Sequence, residues 1–389
     1  MRLILFDTAT ARKGLFPFSL IRPLADIRCG MLTAGERWQR LLRMPVEVLT
    51  ENYLQHSLTE RIDTFLYIDA TLVPDETLVH AIRSLRLNEG LMEGNRILAF
   101  TSAVELSYGF TAADCTEVSF KPHIAPVQFL EYAHQLPVLS AQLLPLDFQL
   151  VTAGRTSQPL SSTNQIIHPE RVFLEEGAVM EYCTINASDA FVYIGKNALV
   201  MEGALLRGSV VIGEKTVVKM GAKIYGTTVA GRNCVLGGEI KNTLFFDYSN
   251  KAHDGYLGDA VIGSWCNLGA GTSASNVKNT GGEIKLWNPL LHQWIHAGTK
   301  CGVMLGDYSR TSINTILNTG TVTGISCNIV SNGFPPKYIA SFTWNTETKE
   351  HYVLEKACND ASNWMQMKQQ FITEQEQSIL QYIYNHLKF

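Results

Sequence analysis

Lysine, histidine, tyrosine and asparagine side chains recur between residues 219 and 276 in a pattern that could form one reaction site. The set is Lys219, Lys241, His253, Tyr256, Asn267 and Asn276. A histidine titrates near neutral pH and can accept a proton from an attacking amine or hydroxyl. Lysines bind phosphate as point charges, and asparagine and tyrosine form hydrogen bonds with hydroxyl groups. Together these residue types suit a site that binds a phosphate and sugar hydroxyls and removes a proton, although each residue taken singly could equally be a solvated or turn residue.

A six-residue repeat surrounds this set and predicts how its members are brought together. Six aliphatic residues follow one another six apart without a slip: Ile194, Val200, Leu206, Ile212, Val218 and Ile224. This period is typical of a parallel β-helix, in which one aliphatic side chain per repeat points inward. Neighbouring coils lie about 4.8 Å apart, so residues one coil apart share a wall. Two stretches, 242–259 and 276–294, break the repeat and are expected to be loops on one wall.

The remaining segments predict an α/β domain before the β-helix and a helical cap after it. Strands at Leu3–Phe6, Pro45–Leu49 and Thr64–Ile68 and a helix at Ala34–Leu42 predict a parallel sheet covered by helices over residues 1–150. Residues 151–170 have the composition of a linker, and residues 171–345 form the β-helix. Residues 346–389 form a helical cap, with one helix over Lys356–Leu387 that covers the last strand edges.

Composition and charge indicate a cytoplasmic protein with no nucleic-acid or membrane partner. The 389 residues carry a net charge of −4, and no run of lysine or arginine exceeds two. The N-terminal apolar run, Leu3–Phe6, is too short for a signal peptide or a membrane span. The eight cysteines are scattered and form no CxxC pair, which favours free thiols.

The segment KAHDGYLGDAVIGSWCNLGAGT, residues 251–272, is followed by Asn276. It resembles the acetyltransferase site of the bifunctional N-acetylglucosamine-1-phosphate uridylyltransferase/glucosamine-1-phosphate acetyltransferase family. The whole chain resembles the divergent Bacteroidetes-type branch of that family, which has a shortened nucleotidyltransferase-like domain. The resemblance implies a Rossmann-type α/β nucleotidyltransferase-like domain, a left-handed β-helix and a homotrimer. It also implies the reaction: acetyl-CoA-dependent N-acetylation of an amino-sugar phosphate, coupled to nucleotidyl transfer in UDP-N-acetylglucosamine-type synthesis.

The same resemblance implies roles for individual residues. His253 matches the general base, and Glu239 matches a glutamate near the reacting centre. The implied substrate residues are Lys219, Lys241, Tyr256 and Asn267, and the implied acetyl-CoA residues are Ala270 and Asn276. Two departures stand out: Lys219 replaces an arginine, and Val277-Lys278-Asn279 replaces the family's YDG before a longer insertion. Transfer is expected to be direct, with no acyl-cysteine intermediate.

The N-terminal domain departs further from the family pattern. Its first loop, Phe6–Gly14, has one glycine, and Leu20–Leu24 stands where the family has a Pro-Lys pair. Backbone amides could still bind phosphate, and Arg12, Lys13 and Arg22 are the expected nucleotide-binding residues. Asp69 ends a strand and is the expected Mg²⁺ ligand, with Asp147 as a second candidate. A catalytically idle domain is an equal alternative.

Two other functions remain open at this stage. Some β-helix carbonic anhydrases bind zinc through three histidines, and His292 and His296 lie four apart with His253 as a third candidate. This interpretation leaves Tyr256, Asn267 and both lysines without a role. A non-enzymatic scaffold or sugar-nucleotide sensor is the other alternative, and it predicts a blocked acyl site.

Overall fold

The computed structural model of the chain describes residues 1–55, 64–188, 190–348 and 350–387. It contains an α/β sheet, a long left-handed β-helix and two C-terminal helices. None of the helices that it describes is both long and apolar enough to cross a membrane. We propose the division into domains given above, with one change: Gln165–Ile167 already pairs with the β-helix, so this part begins inside the expected linker.

The N-terminal sheet has six strands in the order β2-β1-β3-β6-β5-β7. The strands are Arg2–Phe6 (β1), Val46–Leu49 (β2), Phe65–Asp69 (β3), Glu89–Glu93 (β5), Arg96–Ser102 (β6) and Ser119–Pro122 (β7). Leu72–Val73 (β4) and Gln128–Phe129 (β8) form a separate pair. The helices are Ala9–Gly14 (α1), Ala34–Leu42 (α2), Glu76–Arg83 (α3) and Leu136–Thr152 (α4), and short 3-10 helices lie at Leu24–Asp26, Ala112–Asp114 and Ala133–Gln135.

The expectation of a purely parallel sheet is wrong. β1 pairs in parallel with β2 and β3, but β6 pairs antiparallel with both β3 and β5. The turn Gly94-Asn95 joins β5 directly to β6, and a two-residue connection can only make a hairpin. The three parallel strands nevertheless place the ends of β1 and β3 at the same edge of the sheet.

The β-helix has three walls of parallel strands, as the six-residue repeat predicts. The first wall contains Val172–Leu174 (β10), Val192–Ile194 (β13), Val210–Ile212 (β16), Thr228–Ala230 (β19), Leu244–Phe245 (β22), Val261–Ile262 (β25), Met304–Leu305 (β30), Val322–Thr323 (β33) and Tyr338–Ile339 (β35). The second contains Val179–Met180 (β11), Leu199–Val200 (β14), Val217–Val218 (β17), Val235–Leu236 (β20), Asn250–Lys251 (β23), Asn267–Leu268 (β26), Arg310–Thr311 (β31) and Asn328–Ile329 (β34). The third contains Gln165–Ile167 (β9), Thr184–Asn186 (β12), Leu205–Arg207 (β15), Lys223–Tyr225 (β18), Glu239–Lys241 (β21), Tyr256–Gly258 (β24), Ser273–Ala274 (β27) and Ile316–Leu317 (β32).

Burial explains why this sequence forms coils. The six aliphatic residues that define the repeat are at most 1 % exposed and stack inside the β-helix. The glycines at some corners are required sterically. A Cβ atom on Gly213, for example, would lie 2.3 Å from the carbonyl oxygen of Gly231 in the next coil.

One of the two expected interruptions is a regular coil. Residues 242–259 contain β22, β23 and β24, each paired with the coils on both sides. The repeat was missed there because the corner at Gly237-Gly238 is two residues short and the next corner, after Lys241, is one residue short, so the period shifts twice. The second interruption is a true insertion, and it contains an antiparallel hairpin of Lys285–Asn288 (β28) and Gln293–His296 (β29).

The C-terminal cap consists of two helices, so the single helix expected over Lys356–Leu387 is wrong. Leu354–Gln366 (α5) and Glu374–His386 (α6) are separated by a turn in which Thr373 caps α6. A short pair, Thr343–Asn345 (β36) and Glu350–His351 (β37), joins the last coil to α5. The cap also reaches the N-terminal domain, where Tyr53 stacks on Tyr382 with ring centroids 4.3 Å apart.

Candidate active site

A recess at the corner between the second and third walls contains His253. Four residues join β17 to β18, but only Gly237 and Gly238 join β20 to β21 in the next coil. The shortened corner leaves a cavity of about 470 Å³. Lys219, His253 and Ala270, from three different coils, line it. The structure therefore brings together the expected base, one expected phosphate lysine and one expected acyl-donor residue.

A buried lysine holds the turn that carries His253. Lys251 occupies an inward-facing position of the repeat, directly across from Leu236, and is 1 % exposed. Its ammonium donates to the carbonyl oxygens of His253 (2.7 Å) and Asp254 (3.2 Å). Burial lowers the pKa of Lys251 to about 8. Sequence analysis missed this residue, although a lysine in the aliphatic register of the repeat was a visible signal.

The third wall places Glu239 and Lys241 beside two tyrosines. Glu239 pairs across the ladder with Tyr256, and Lys241 pairs with Tyr225. The Tyr225 hydroxyl donates to Glu239 over 2.7 Å, and this hydrogen bond raises the pKa of Tyr225 to about 12. The Lys241 Nζ lies 5.7 Å from the centre of the Tyr225 ring. Lys241 does not line the recess that contains Lys219, so a single chain does not bring the two lysines into one cavity.

Tyr256 and Asn276 lie close together farther along this wall. Asn276 donates to Asp259, which also accepts from Asn242 over 3.1 Å. Both side chains lie over Gly258: a Cβ atom at this position would lie 2.3 Å from the Tyr256 hydroxyl and 3.0 Å from the Asn276 amide nitrogen. Sequence analysis missed the positioning contacts of Asp259 and Asn242.

Asn267 lies apart from the other expected sugar-binding residues. It belongs to the second wall, where its side chain accepts from Asn250 over 3.5 Å. Lys368, just after α5, donates to the same Asn250 over 2.8 Å. Within one chain, Asn267 and Tyr256 are therefore on different walls.

Arg12 and Arg22, two of the three expected nucleotide-binding residues, are engaged in internal ion pairs. Arg12 is 5 % exposed and donates to Asp7 (2.8 Å) and to Thr50 (3.2 Å). Arg22 pairs with Asp307 of the β-helix. Lys13, the third, is exposed at the end of α1. Burial raises the pKa of Asp7, the partner of Arg12, to about 6. Both arginines hold the fold together in this structure, and we assign them no contact with nucleotide.

The expected magnesium ligands do not fit a metal site. Asp69 is fully buried; it accepts from the Thr71 hydroxyl (2.6 Å) and from Arg96 (3.0 Å). Asp147 lies elsewhere in the domain and makes a two-pronged pair with Arg37. In the described part of the chain, no group of three His, Cys, Asp or Glu side chains lies close enough to hold a metal ion. No step through magnesium follows from these residues.

The histidines of the zinc alternative are on the inserted hairpin. His292 is exposed at its tip, and His296 pairs with Glu283 over 2.7 Å. His253 is in the recess of the β-helix corner and does not join them in a metal-binding group among the described residues. The geometry gives the zinc interpretation no support.

Comparisons with known proteins find similarity over parts of the chain. Residues 3–156 match the family model of sugar nucleotidyl transferases. The bifunctional protein GlmU of Methanocaldococcus jannaschii is 27 % identical over 106 residues, which cover 27 % of this chain and 26 % of that protein. GlmU of Trichormus variabilis is 50 % identical over 46 residues, 11 % of this chain and 10 % of that protein. The matches thus span about a quarter or less of these relatives.

Two solved structures are similar at low scores. The polySia-specific acetyltransferase NeuO has a TM-score of 0.25 and 10 % identity, covering 46 % of this chain and 74 % of that one. The Arabidopsis UDP-N-acetylglucosamine acyltransferase has a TM-score of 0.21 and 15 % identity, covering 59 % and 90 %. The sequence matches carry the conclusion: this chain is a partial, low-identity relative of the bifunctional GlmU proteins, as its motif predicted.

Proposed function

We propose that this chain is an acetyl-CoA-dependent N-acetyltransferase that acts on an amino-sugar phosphate resembling glucosamine 1-phosphate. The recess of the shortened corner, where His253 and Lys219 lie together, is the observation on which this proposal rests. We propose further that acetylation is coupled to nucleotidyl transfer in the synthesis of a UDP-N-acetylglucosamine-type sugar nucleotide. Similarity of residues 3–156 to sugar nucleotidyl transferases supports this second part.

In the proposed reaction, acetyl-CoA supplies the acyl group as a thioester. The amine nitrogen of the sugar forms the new bond to the acyl carbon, and the carbon–sulfur bond breaks. His253 accepts the proton that the amine loses and returns it to the departing thiolate or to water. Ala270 and Gly271 line the recess without bulk, which leaves room for the acyl donor. The scaffold alternative predicts a filled acyl site, and this open recess favours the enzyme.

The direct test is incubation of the purified protein with acetyl-CoA and a panel of amino-sugar phosphates. Release of free thiol, followed with a coloured thiol reagent, reports acyl transfer for each acceptor. Thiol release that requires an amino-sugar phosphate supports the proposal. Thiol release at the rate of spontaneous hydrolysis with every acceptor would refute it.

Lys241→Ala is expected to raise the KM for glucosamine 1-phosphate while changing kcat little. A charge-assisted contact contributes about 1.5–3 kcal/mol, which corresponds to roughly 10- to 100-fold in binding. A contact made equally in the ground and transition states appears mainly in KM. Steady-state kinetics with both substrates measures this, and the KM for acetyl-CoA should stay unchanged.

Lys223→Ala is the matched control, because Lys223 is exposed on the same wall, one coil away, beside Glu239. It should behave like the wild type. With glucosamine, which has no phosphate, Lys241→Ala should not change the KM, because the negative charge that Lys241 is proposed to bind is absent. Equal damage with phosphorylated and unphosphorylated acceptors would show that Lys241 has a structural role.

We propose a homotrimer with the recess at the contact between subunits. Two large apolar side chains at this corner of the β-helix face solvent in the single chain: Met220, which lines the recess, is 67 % exposed, and Ile313, one coil beyond Ala270, is 70 % exposed. A second subunit packed against this corner would bury both and would complete a site that one chain leaves open. Light scattering is expected to give about three times 43.2 kDa. A monomer at micromolar concentration would contradict the proposal.

A further inference from the structure

The hairpin β28–β29, inserted in the β-helix, reaches the N-terminal domain. Its base is fixed to the β-helix: Ile284 is fully buried, and its amide donates to Gly298 over 2.7 Å. Gly320, in a later coil, has φ +62° and lies under the hairpin. A Cβ atom on this glycine would approach the Ile284 side chain to 2.8 Å, so the coil and the hairpin base pack in direct contact.

Asn288 attaches the tip of the hairpin to α1. This side chain is 5 % exposed and donates to the carbonyl oxygen of Lys13 over 2.8 Å. Its own oxygen accepts from the amides of Leu290 and Leu291, both at 3.0 Å. One buried amide side chain therefore shapes the turn of the hairpin and joins it to the N-terminal domain.

The attached tip forms part of a cavity of about 740 Å³ at the carboxyl end of β1. The hairpin contributes Leu291 and Gln293, and the N-terminal domain contributes all the other lining residues. The cavity lies in the region that is similar to sugar nucleotidyl transferases, residues 3–156, yet one of its walls comes from the β-helix part of the chain.

The lining of this cavity suits the hydroxyl-bearing ring of a sugar rather than an anionic group. Two carboxylates, Glu93 and Glu131, line it together with six hydroxyl and amide side chains: Thr8, Thr10, Thr111, Tyr132, Asn95 and Gln293. Arg96 is the only lysine or arginine among the described lining residues, and it pairs with Asp69 at 3.0 Å and with Glu131 at 3.4 Å. Phe6 and Phe110, in contact at 4.9 Å between ring centroids, supply an apolar patch for the C–H face of a ring.

We propose that the hairpin closes the ligand cavity of the N-terminal domain and that Gln293 determines which sugar this cavity accepts. The proposal rests on the proposed function, since it takes the ligand to be a sugar phosphate. A neutral amide at the cavity wall can both donate to and accept from a sugar hydroxyl or acetamido group. Its contact thus distinguishes sugars that differ in these groups.

Titration calorimetry of the full-length protein with N-acetylglucosamine 1-phosphate, glucose 1-phosphate and UTP tests the proposal. Gln293→Ala is expected to raise the Kd for one of the two sugar phosphates by roughly 2- to 12-fold, the effect of losing one hydrogen bond. The ratio of the two Kd values should therefore change. Binding of UTP should not change. His292→Asn is the matched control, because His292 is exposed beside Gln293 and is not among the residues that line the cavity.

Asn288→Asp tests the attachment separately. The aspartate keeps an oxygen for the amides of Leu290 and Leu291 but loses the donor to the Lys13 carbonyl. This variant should bind both sugar phosphates with a higher Kd. Thiol release from acetyl-CoA should stay at the wild-type rate, which would show that the β-helix is still folded. In the wild type, added sugar phosphate should slow amide hydrogen exchange in residues 290–293.

The outcomes separate this inference from the function on which it rests. If the wild type binds sugar phosphate but Gln293→Ala and Asn288→Asp bind both sugars with unchanged Kd, the inference is wrong and the function stands. If the wild type binds neither sugar phosphate and no exchange is slowed, the inference and the proposed role of the N-terminal domain both fail. Acetyl transfer in the β-helix would be untouched by that result.

Discussion

Replacing His253 by alanine is expected to lower the rate of acetyl transfer by two orders of magnitude or more. A positioned general base typically contributes about 10²- to 10⁴-fold, and His253 is the histidine that lines the recess. The fold should persist, because His253 is exposed and the contacts that hold its turn are made by its backbone carbonyl. Thiol release at saturating acetyl-CoA and glucosamine 1-phosphate gives kcat directly.

Two controls test whether the lower rate of His253→Ala comes from the loss of the proton acceptor. His292→Asn removes an exposed histidine outside the recess and should keep the wild-type rate. Circular dichroism and light scattering should be unchanged in His253→Ala, which separates lost chemistry from lost structure. Turnover of His253→Ala close to that of the wild type would show that another group accepts the proton.

The β-helix was predictable because its interior imposes a period that the sequence repeats. Ile194 and its equivalents pack inside the coils, and no other arrangement buries one residue in six so regularly. The prediction failed where the period shifts. Gly237 and Gly238 replace a four-residue corner, and a search for an unbroken repeat interpreted the next coil as a loop.

The residues of the recess were chosen by resemblance to a family more than by their spacing. The period of the repeat does not show that a corner two residues short leaves a cavity beside His253. Lys251 was given no role because its ammonium holds two carbonyl groups of a turn, a contact that a search for phosphate-binding and proton-accepting residues does not predict. Asn267, which the resemblance assigns to the sugar, lies on the second wall, so the spacing of the repeat does not bring it beside Tyr256 within one chain.

The internal contacts of the expected N-terminal residues could not be predicted, because several of their partners come from distant parts of the sequence. Arg12 was assigned to nucleotide by its position after β1, but its partners, Asp7 and Thr50, come from before α1 and after β2. Asp69 ends β3 as expected, yet its oxygens cap the following turn and pair with Arg96. The hairpin that reaches this domain lies more than 270 residues away from α1 in the sequence and gave no local signal.

Arg22→Met is expected to lower the free energy of unfolding by about 3–5 kcal/mol, the usual effect of breaking a buried ion pair. Arg22 is 12 % exposed and Asp307 is fully buried, so the variant leaves a carboxylate in the interior without its cation. The pair joins the N-terminal domain to the β-helix, and Arg22 also lies 4.9 Å from the centre of the Phe246 ring. Urea denaturation followed by tryptophan fluorescence measures the loss.

Comparison variants distinguish this structural role from the nucleotide contact that sequence analysis expected. Arg232→Met breaks a pair with Asp247 in which the arginine is 58 % exposed, and it should cost about 1 kcal/mol or less. Combining Arg22→Met with Asp307→Leu should recover part of the stability, because the uncompensated charge is then removed. If Arg22 binds nucleotide instead, Arg22→Met should unfold in urea like the wild type and should have a higher Kd for UTP. That pattern would show that Arg22 exchanges Asp307 for nucleotide when the N-terminal domain binds its substrate.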